Sequence, residues 1–134
     1  MLVMENIGVV GASFRNESSE LLAQLTVPKS ERTDRLPELA RQVGVRELVY
    51  IPTCNRGEVA FQGDGKVAKQ EYRRRVFRAL VDREPRAGEA ERSLRAWVGE
   101  GAVEHLFLGL VFMLALIGLR KFRSCPKPVQ DCWR

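Results

Sequence analysis

Cysteine is scarce and odd in number, with three in 134 residues at positions 54, 125 and 132. Such wide spacing makes no disulfide framework. The one close pair, Cys125 and Cys132, supplies only two of the four ligands that a structural zinc needs. Histidine occurs once, as His105. No glycine-rich dinucleotide fingerprint follows a strand, because Gly8 to Gly11 is too short and lacks the spacing. The longest apolar run, Leu106 to Leu119, falls short of the about 20 residues that span a bilayer. It is apolar all round and suits a buried helix. The chain opens without the basic, apolar, small-residue pattern of a leader. These absences point to a reducing, cytoplasmic setting without a membrane anchor, a zinc site or a self-contained nucleotide fold.

What is present is one domain's worth of core. The apolar fraction is 45%, ordinary for a globular chain. Net charge is +5. A basic balance favours an anionic partner, though where the charge sits matters more than its total.

The elements follow from periodicity and punctuation. Val3, Ile7, Val9 and Val10 make a first strand that closes on Gly11 and Ala12. Ser18 or Ser19 caps a helix carrying Leu21, Leu22 and Leu25. Ser30 or Thr33 caps a second helix with Leu36, Leu39, Ala40 and Val43, Pro37 in its first turn and Gly44 as its stop. A strand runs from Arg46 to Ile51 and ends at Pro52; another runs from Glu58 to Gln62. Val67 to Arg83 is the clearest helix, with Tyr72, Val76, Phe77, Leu80 and Val81 as its apolar stripe. Its other face carries Lys66, Lys69, Arg73, Arg74, Arg75 and Arg78. Such a face is usually simply solvated; the sharper reading is phosphate contact. Pro85 to Gly88 ends that helix, Leu94 to Val98 is a short strand, and a last helix starts at Ala102. The order β-α-β-β-α-β plus a helix is that of the α+β, ferredoxin-like split βαβ sheet, with helices on one face.

One stretch carries chemistry. Thr53-Cys54-Asn55-Arg56 stands at a strand end, with Glu58 just beyond. A thiolate is the nucleophilic form of cysteine, and a neighbouring positive charge lowers the thiol's pKa. Arg56 offers a planar fork suited to a carboxylate. Against this, most unpaired cysteines are buried packing groups, although a hydroxyl, an amide and a guanidinium make no apolar pocket.

Thr53-Cys54-Asn55-Arg56 with Glu58 resembles the active-site motif of glutamyl-tRNA reductase. The supporting segments are Val9-Val10-Gly11-Ala12-Ser13, Glu47-Leu48-Val49 and Ala102-Val103-Glu104-His105-Leu106-Phe107. The resemblance covers residues 1–107, the N-terminal catalytic domain. It implies a ferredoxin-like fold and a reaction on glutamyl-tRNA that opens tetrapyrrole synthesis. In that reaction Cys54 takes the glutamyl group from tRNA as a thioester, and NADPH reduces it to glutamate-1-semialdehyde. By position, Thr53, Asn55 and Arg56 form the glutamate pocket, Glu58 orients the loop and His105 assists catalysis. The resemblance further implies glutamate-1-semialdehyde aminomutase as a partner, and places NADPH binding and dimerisation on domains that this sequence does not contain.

The chain also departs from the family. Ser13-Phe14-Arg15-Asn16 lacks the usual histidine, and Glu20-Leu21-Leu22-Ala23-Gln24 lacks both usual arginines. From 108 to 134 the likeness fails. Val111-Phe112 and Leu119 stand where the family has Asp-Ser and Glu. Two readings therefore stay open beside the catalytic one. The first is an RNA-recognition module, whose third-strand motif Arg56 to Phe61 faintly echoes; the second is a folded remnant that neither catalyses nor binds.

Overall fold

The computed structural model describes residues 6–12, 18–53 and 56–124, with the side chains of 53, 56, 112–113 and 116–124 outside that description. Strand β1 (Ile7–Ala12) leads to helix α1 (Ser19–Gln24), a 3-10 turn (Lys29–Glu31) and helix α2 (Arg32–Val43). Strands β2 (Glu47–Thr53) and β3 (Arg56–Gln62) follow, then α3 (Lys69–Val81), the short α4 (Glu89–Ser93), β4 (Leu94–Val98) and α5 (Glu100–Ser124). The four strands form one sheet in the order β2-β3-β1-β4. Every neighbouring pair is antiparallel. The architecture is a mixed α and β fold with β1 and β3 at the centre of the sheet.

Local signals explain most boundaries. Ser18 caps α1, its Oγ accepting from the Leu21 N–H at 3.2 Å. Gly44 closes α2 in the left-handed region at φ 78°, where a Cβ is strained and glycine is not. Asp82 does the same for α3 at φ 60°, so that helix stops before the expected Arg83. Leu94–Val98 is the strand expected.

Several expectations need correcting. Neither Ser30 nor Thr33 caps α2, because the chain enters that helix through the 3-10 turn and Glu31, at the N-cap, makes no side-chain capping bond. Pro37 therefore lies inside α2 rather than in its first turn. Its ring removes the bond that residue 37 would donate to the Thr33 carbonyl. Strand β2 does not end at Ile51 but runs through Pro52 to Thr53. It lies at a sheet edge, where one row of N–H groups has no ladder partner and a proline is tolerated. Strand β3 begins at Arg56 rather than Glu58, and α5 at Glu100 rather than Ala102. Helix α4 has five residues and no apolar repeat to announce it. Val3, Ser13 and the Phe14-Arg15-Asn16 segment lie outside the described residues.

The core sits on one face of the sheet. Val10, Ala12, Val59 and Phe61 pack against Leu25, Val43, Val76 and Phe77 from the helices. Alternation sends Val9, Gly11, Glu58 and Trp97 to the other face. Val9 is fully buried there, apart from the main cluster. The chain divides into two compact units, Met1–Val103 and Glu104–Arg134. Among the described residues no helix is long and apolar enough to cross a membrane, and no His, Cys, Asp and Glu cluster is arranged for a metal. Cys125 and Cys132 lie outside the described residues.

A buried carboxylate ties α4 to the end of α3. Glu89 accepts from Arg83 Nη1 at 2.7 Å and Nη2 at 2.8 Å, and from the Arg86 backbone N–H at 3.0 Å. The Arg83 guanidinium, then the Arg86 N–H, hold its pKa down to about 2. Glu71, hydrogen-bonded first by Arg74 and then by Arg75, is likewise held near 2. A depressed carboxylate stabilises the fold above its ordinary pKa of 4.5 and loses that contribution as pH falls through the folded value. Unfolding free energy measured by urea titration should therefore drop between about pH 4.5 and pH 2. Glu89→Gln should be less stable at pH 7 and should show a shallower acid decline.

Candidate active site

The β2–β3 hairpin presents the cysteine motif. Its register pairs Pro52 with Gly57 and, last, Thr53 with Arg56. Cys54 and Asn55 fall between these two and lie outside the described residues, as do the side chains of Thr53 and Arg56. The backbone brings Thr53, Arg56 and Glu58 together on one hairpin. His105 is half-buried on α5, in the second compact unit.

Glu58 is buried, with 9% of its surface exposed. It lies opposite Gly11 on β1 and Ile51 on β2. A Cβ on Gly11 would come within 2.8 Å of Glu58 Cγ. The glycine of the Val9 to Ser13 segment is therefore the space that the Glu58 side chain occupies.

The core face of the hairpin's base is locked by an aromatic. Tyr50 accepts at its hydroxyl from the buried Val27 N–H at 3.2 Å. Arg32 Nε donates to the Val27 carbonyl at 3.1 Å, and its guanidinium lies 4.7 Å from the Tyr50 ring centroid, within cation–π range. The Tyr50 hydroxyl in turn occupies the place where a Cβ on Gly57 would stand. Gly57, inside the motif, thus lets β3 accept the ring that ties the hairpin to residues 27–32. Sequence spacing gives no hint of this, because Tyr50 reads only as part of an apolar strand.

Two further residues share the sheet face of Glu58. Arg95 pairs with Gly11, and Trp97 with Val9. Ile51, Glu58, Gly11 and Arg95 therefore form one row across all four strands. The alternation within β4, Leu94 and Ala96 against Arg95 and Trp97, was the available signal.

The basic face of α3 is mostly spoken for. Arg74 bonds Glu71 at 2.8 Å and Glu84 at 3.0 Å. Arg78 bonds Glu84 at 3.1 Å, and Arg75 bonds Glu71 at 3.1 Å. Arg75 Nη1 also donates to the Val43 carbonyl at 3.0 Å, at the C-terminus of α2, where a cation meets the negative end of the helix dipole. Arg74, Arg75 and Arg78 are thus engaged in internal pairs. Lys66 and Lys69 remain exposed.

The glycines of β1 do not fit a nucleotide. The Phe61 ring covers Gly8 and Glu58 covers Gly11, so no pyrophosphate can approach that backbone. These residues do not fit NADPH.

Comparison with known proteins places this geometry. The family model described as glutamyl-tRNAGlu reductase, N-terminal domain, matches residues 10–109. That span contains Gly11, the cysteine motif, Glu58 and His105. The glutamyl-tRNA reductase of Geobacillus thermodenitrificans (strain NG80-2) is 29% identical over 99 residues, covering 74% of this chain and 21% of that relative. The chain thus spans about a fifth of the length of the curated relative it matches. No solved structure matches it.

The Tyr50 lock makes a stability prediction. Gly57→Ala should push the ring aside and cost about 1–3 kcal/mol, as overpacking does. Tyr50→Phe should cost about 1–3 kcal/mol by leaving the Val27 N–H without an acceptor. Urea titration of both singles and the double should show less than additive losses, because the two changes break one contact.

Proposed function

The chain belongs to the glutamyl-tRNA reductase family through its N-terminal domain, and from this we propose that it carries the family's thioester-forming half-reaction. The observation that supports the reading most is the motif's place, at the end of a hairpin whose base is fixed by Tyr50 and Glu58. The Cys54 thiolate attacks the carbonyl carbon of the glutamyl ester. The C–O bond to the tRNA ribose breaks, the ribose oxygen takes up a proton, and a thioester on Cys54 forms. Arg56 holds the side-chain carboxylate of the glutamyl group with its planar fork. Thr53 and Asn55 line the same pocket, Glu58 orients the hairpin, and His105 assists the transfer.

NADPH supplies hydride in the family's full reaction. This chain's own contribution is the thioester, one step toward tetrapyrrole synthesis in the cytoplasm. The strand order β2-β3-β1-β4 supports the ferredoxin-like assignment. The base-stacking alternative gains nothing from the same sheet. Phe61, the aromatic of the supposed RNA motif, is 4% exposed and packs on Tyr72 with ring centroids 4.6 Å apart. Bases stack on exposed strand aromatics.

Mass spectrometry after mixing the pure chain with glutamyl-tRNA tests the proposal. A glutamyl adduct is expected on the wild type and not on Cys54→Ser. Arg56→Lys should slow adduct formation at least about tenfold, because lysine lacks the fork. No adduct from a chain with intact circular dichroism would overturn the reading. Neutralising Arg74 and Arg78 together should lower thermal stability yet leave the salt dependence of tRNA binding unchanged, since neither releases a phosphate counterion.

A further inference from the structure

The sheet face opposite the core is laid out in rows. Register places Ile51, Glu58, Gly11 and Arg95 in one row, and Val49, Ala60, Val9 and Trp97 in the next. Alternation puts both rows on the face away from the main cluster. The second row carries no charged side chain. On the other side of the first row stands the Thr53–Arg56 pair that ends the hairpin. The charged row therefore lies between the cysteine motif and an apolar floor.

Arg95 is the cation of that row. Positions 56 and 95 are the two arginines within the strands, and position 56 shares the alternation of Glu58. Arg74, Arg75, Arg78 and Arg83 are paired with glutamates. Arg95 is exposed, and it joins no ion pair among the described residues. Its Cα stands two strand spacings, about 10 Å, from that of Glu58. Position 56 lies two residues further along β3, about 7 Å. The diagonal from Arg95 to the last pair of the hairpin is thus about 12 Å. A long side chain covers part of that gap, and what remains suits a single nucleotide.

The glutamyl ester sits on the terminal ribose of the tRNA. With that ester at Cys54, the nearest negative charges of the nucleic acid are the backbone phosphates beside the ribose. The exposed Lys66 and Lys69 follow Gln62, at the far end of β3. They lie beyond a strand length of about 20 Å from Arg56, at 3.4 Å per residue, and are out of reach of those phosphates. We propose that Arg95 holds a backbone phosphate of the single-stranded acceptor end and so sets the ester over Cys54. The proposal rests on the thioester reading and adds the part of the substrate that the motif does not touch.

Single-turnover adduct formation on the full chain, followed by mass spectrometry from about 50 to about 200 mM KCl, tests it. The substrates are glutamyl-tRNA and the glutamyl ester of adenosine, which carries the ester without a phosphate. Arg95→Gln should raise the half-saturating glutamyl-tRNA concentration about tenfold, as loss of a charge-assisted contact does, with circular dichroism unchanged. The log–log salt dependence of that concentration should become shallower by about 0.7, the share of one single-strand phosphate. The rate at saturation should stay within about twofold of wild type, since uniform binding is what is lost. On the adenosine ester the variant and the wild type should react alike. Arg95→Lys should keep the salt dependence, because lysine also binds phosphate as a point charge. Three results would overturn the proposal. They are an unchanged salt dependence in Arg95→Gln, an equal loss on the adenosine ester, and a lowered saturating rate at unchanged half-saturation. In each of these the wild type still forms its adduct, so the thioester reading stands. A wild type that forms no adduct with either substrate overturns that reading and this proposal with it.

Discussion

The fold depends on side chains lying flat over glycines of the central strands. Phe61 covers Gly8 and Glu58 covers Gly11 across the β1–β3 pair. A strand that must offer two glycines at such positions accepts one register, because a slip of one residue would send every side chain to the opposite face. The β1–β3 register then fixes β3 against β2, and with it the end of the hairpin that carries Cys54. The reach of this constraint explains how a small sheet holds a motif that lies at its margin. Phe61 continues inward to Tyr72 of α3, so the same ring that sets the register also seats the principal helix.

Charge is organised around a second, intramolecular purpose. The arginines of α3 and its C-terminal loop reach Glu71, Glu84 and Glu89, and Arg75 reaches the end of α2. Exposed pairs of this kind contribute little singly. The bidentate contact between Arg83 and the buried Glu89 is the stronger kind, and it holds α4 ahead of β4. Much of the positive charge on α3 is therefore matched by carboxylates of the same chain. The cationic surface available to an anion is thinner than the count of arginines suggests.

How far the sequence could be read depends on the range of the interaction concerned. The apolar stripe of α3, the cap at Ser18, the stop at Gly44 and the strand Leu94–Val98 are written in local patterns. Pro52 misled because proline is forbidden only in the interior of a sheet, and a sequence does not say which strand is an edge. Pro37 misled because a 3-10 turn moved the start of the helix. Of the site, the motif itself was legible, and the family match covers it. The Tyr50–Val27–Arg32 lock was not, since it joins residues 23 positions apart through a gap that only a glycine leaves. The alternation of β4 sets Arg95 and Trp97 on one face, but their relation to Glu58 exists only once the strands are in register.

The edge position of β2 has one more consequence. Its outer backbone is a row of hydrogen-bonding groups open to any other extended chain, and Val49 is 60% exposed on it. Left plain, such a margin templates strand addition and aggregation. Here Glu47 and Pro52 bracket the exposed valine, one with a charge and the other with a missing donor. The hairpin can thus stand at the border of the sheet without inviting the edge of a neighbouring chain to zip onto it.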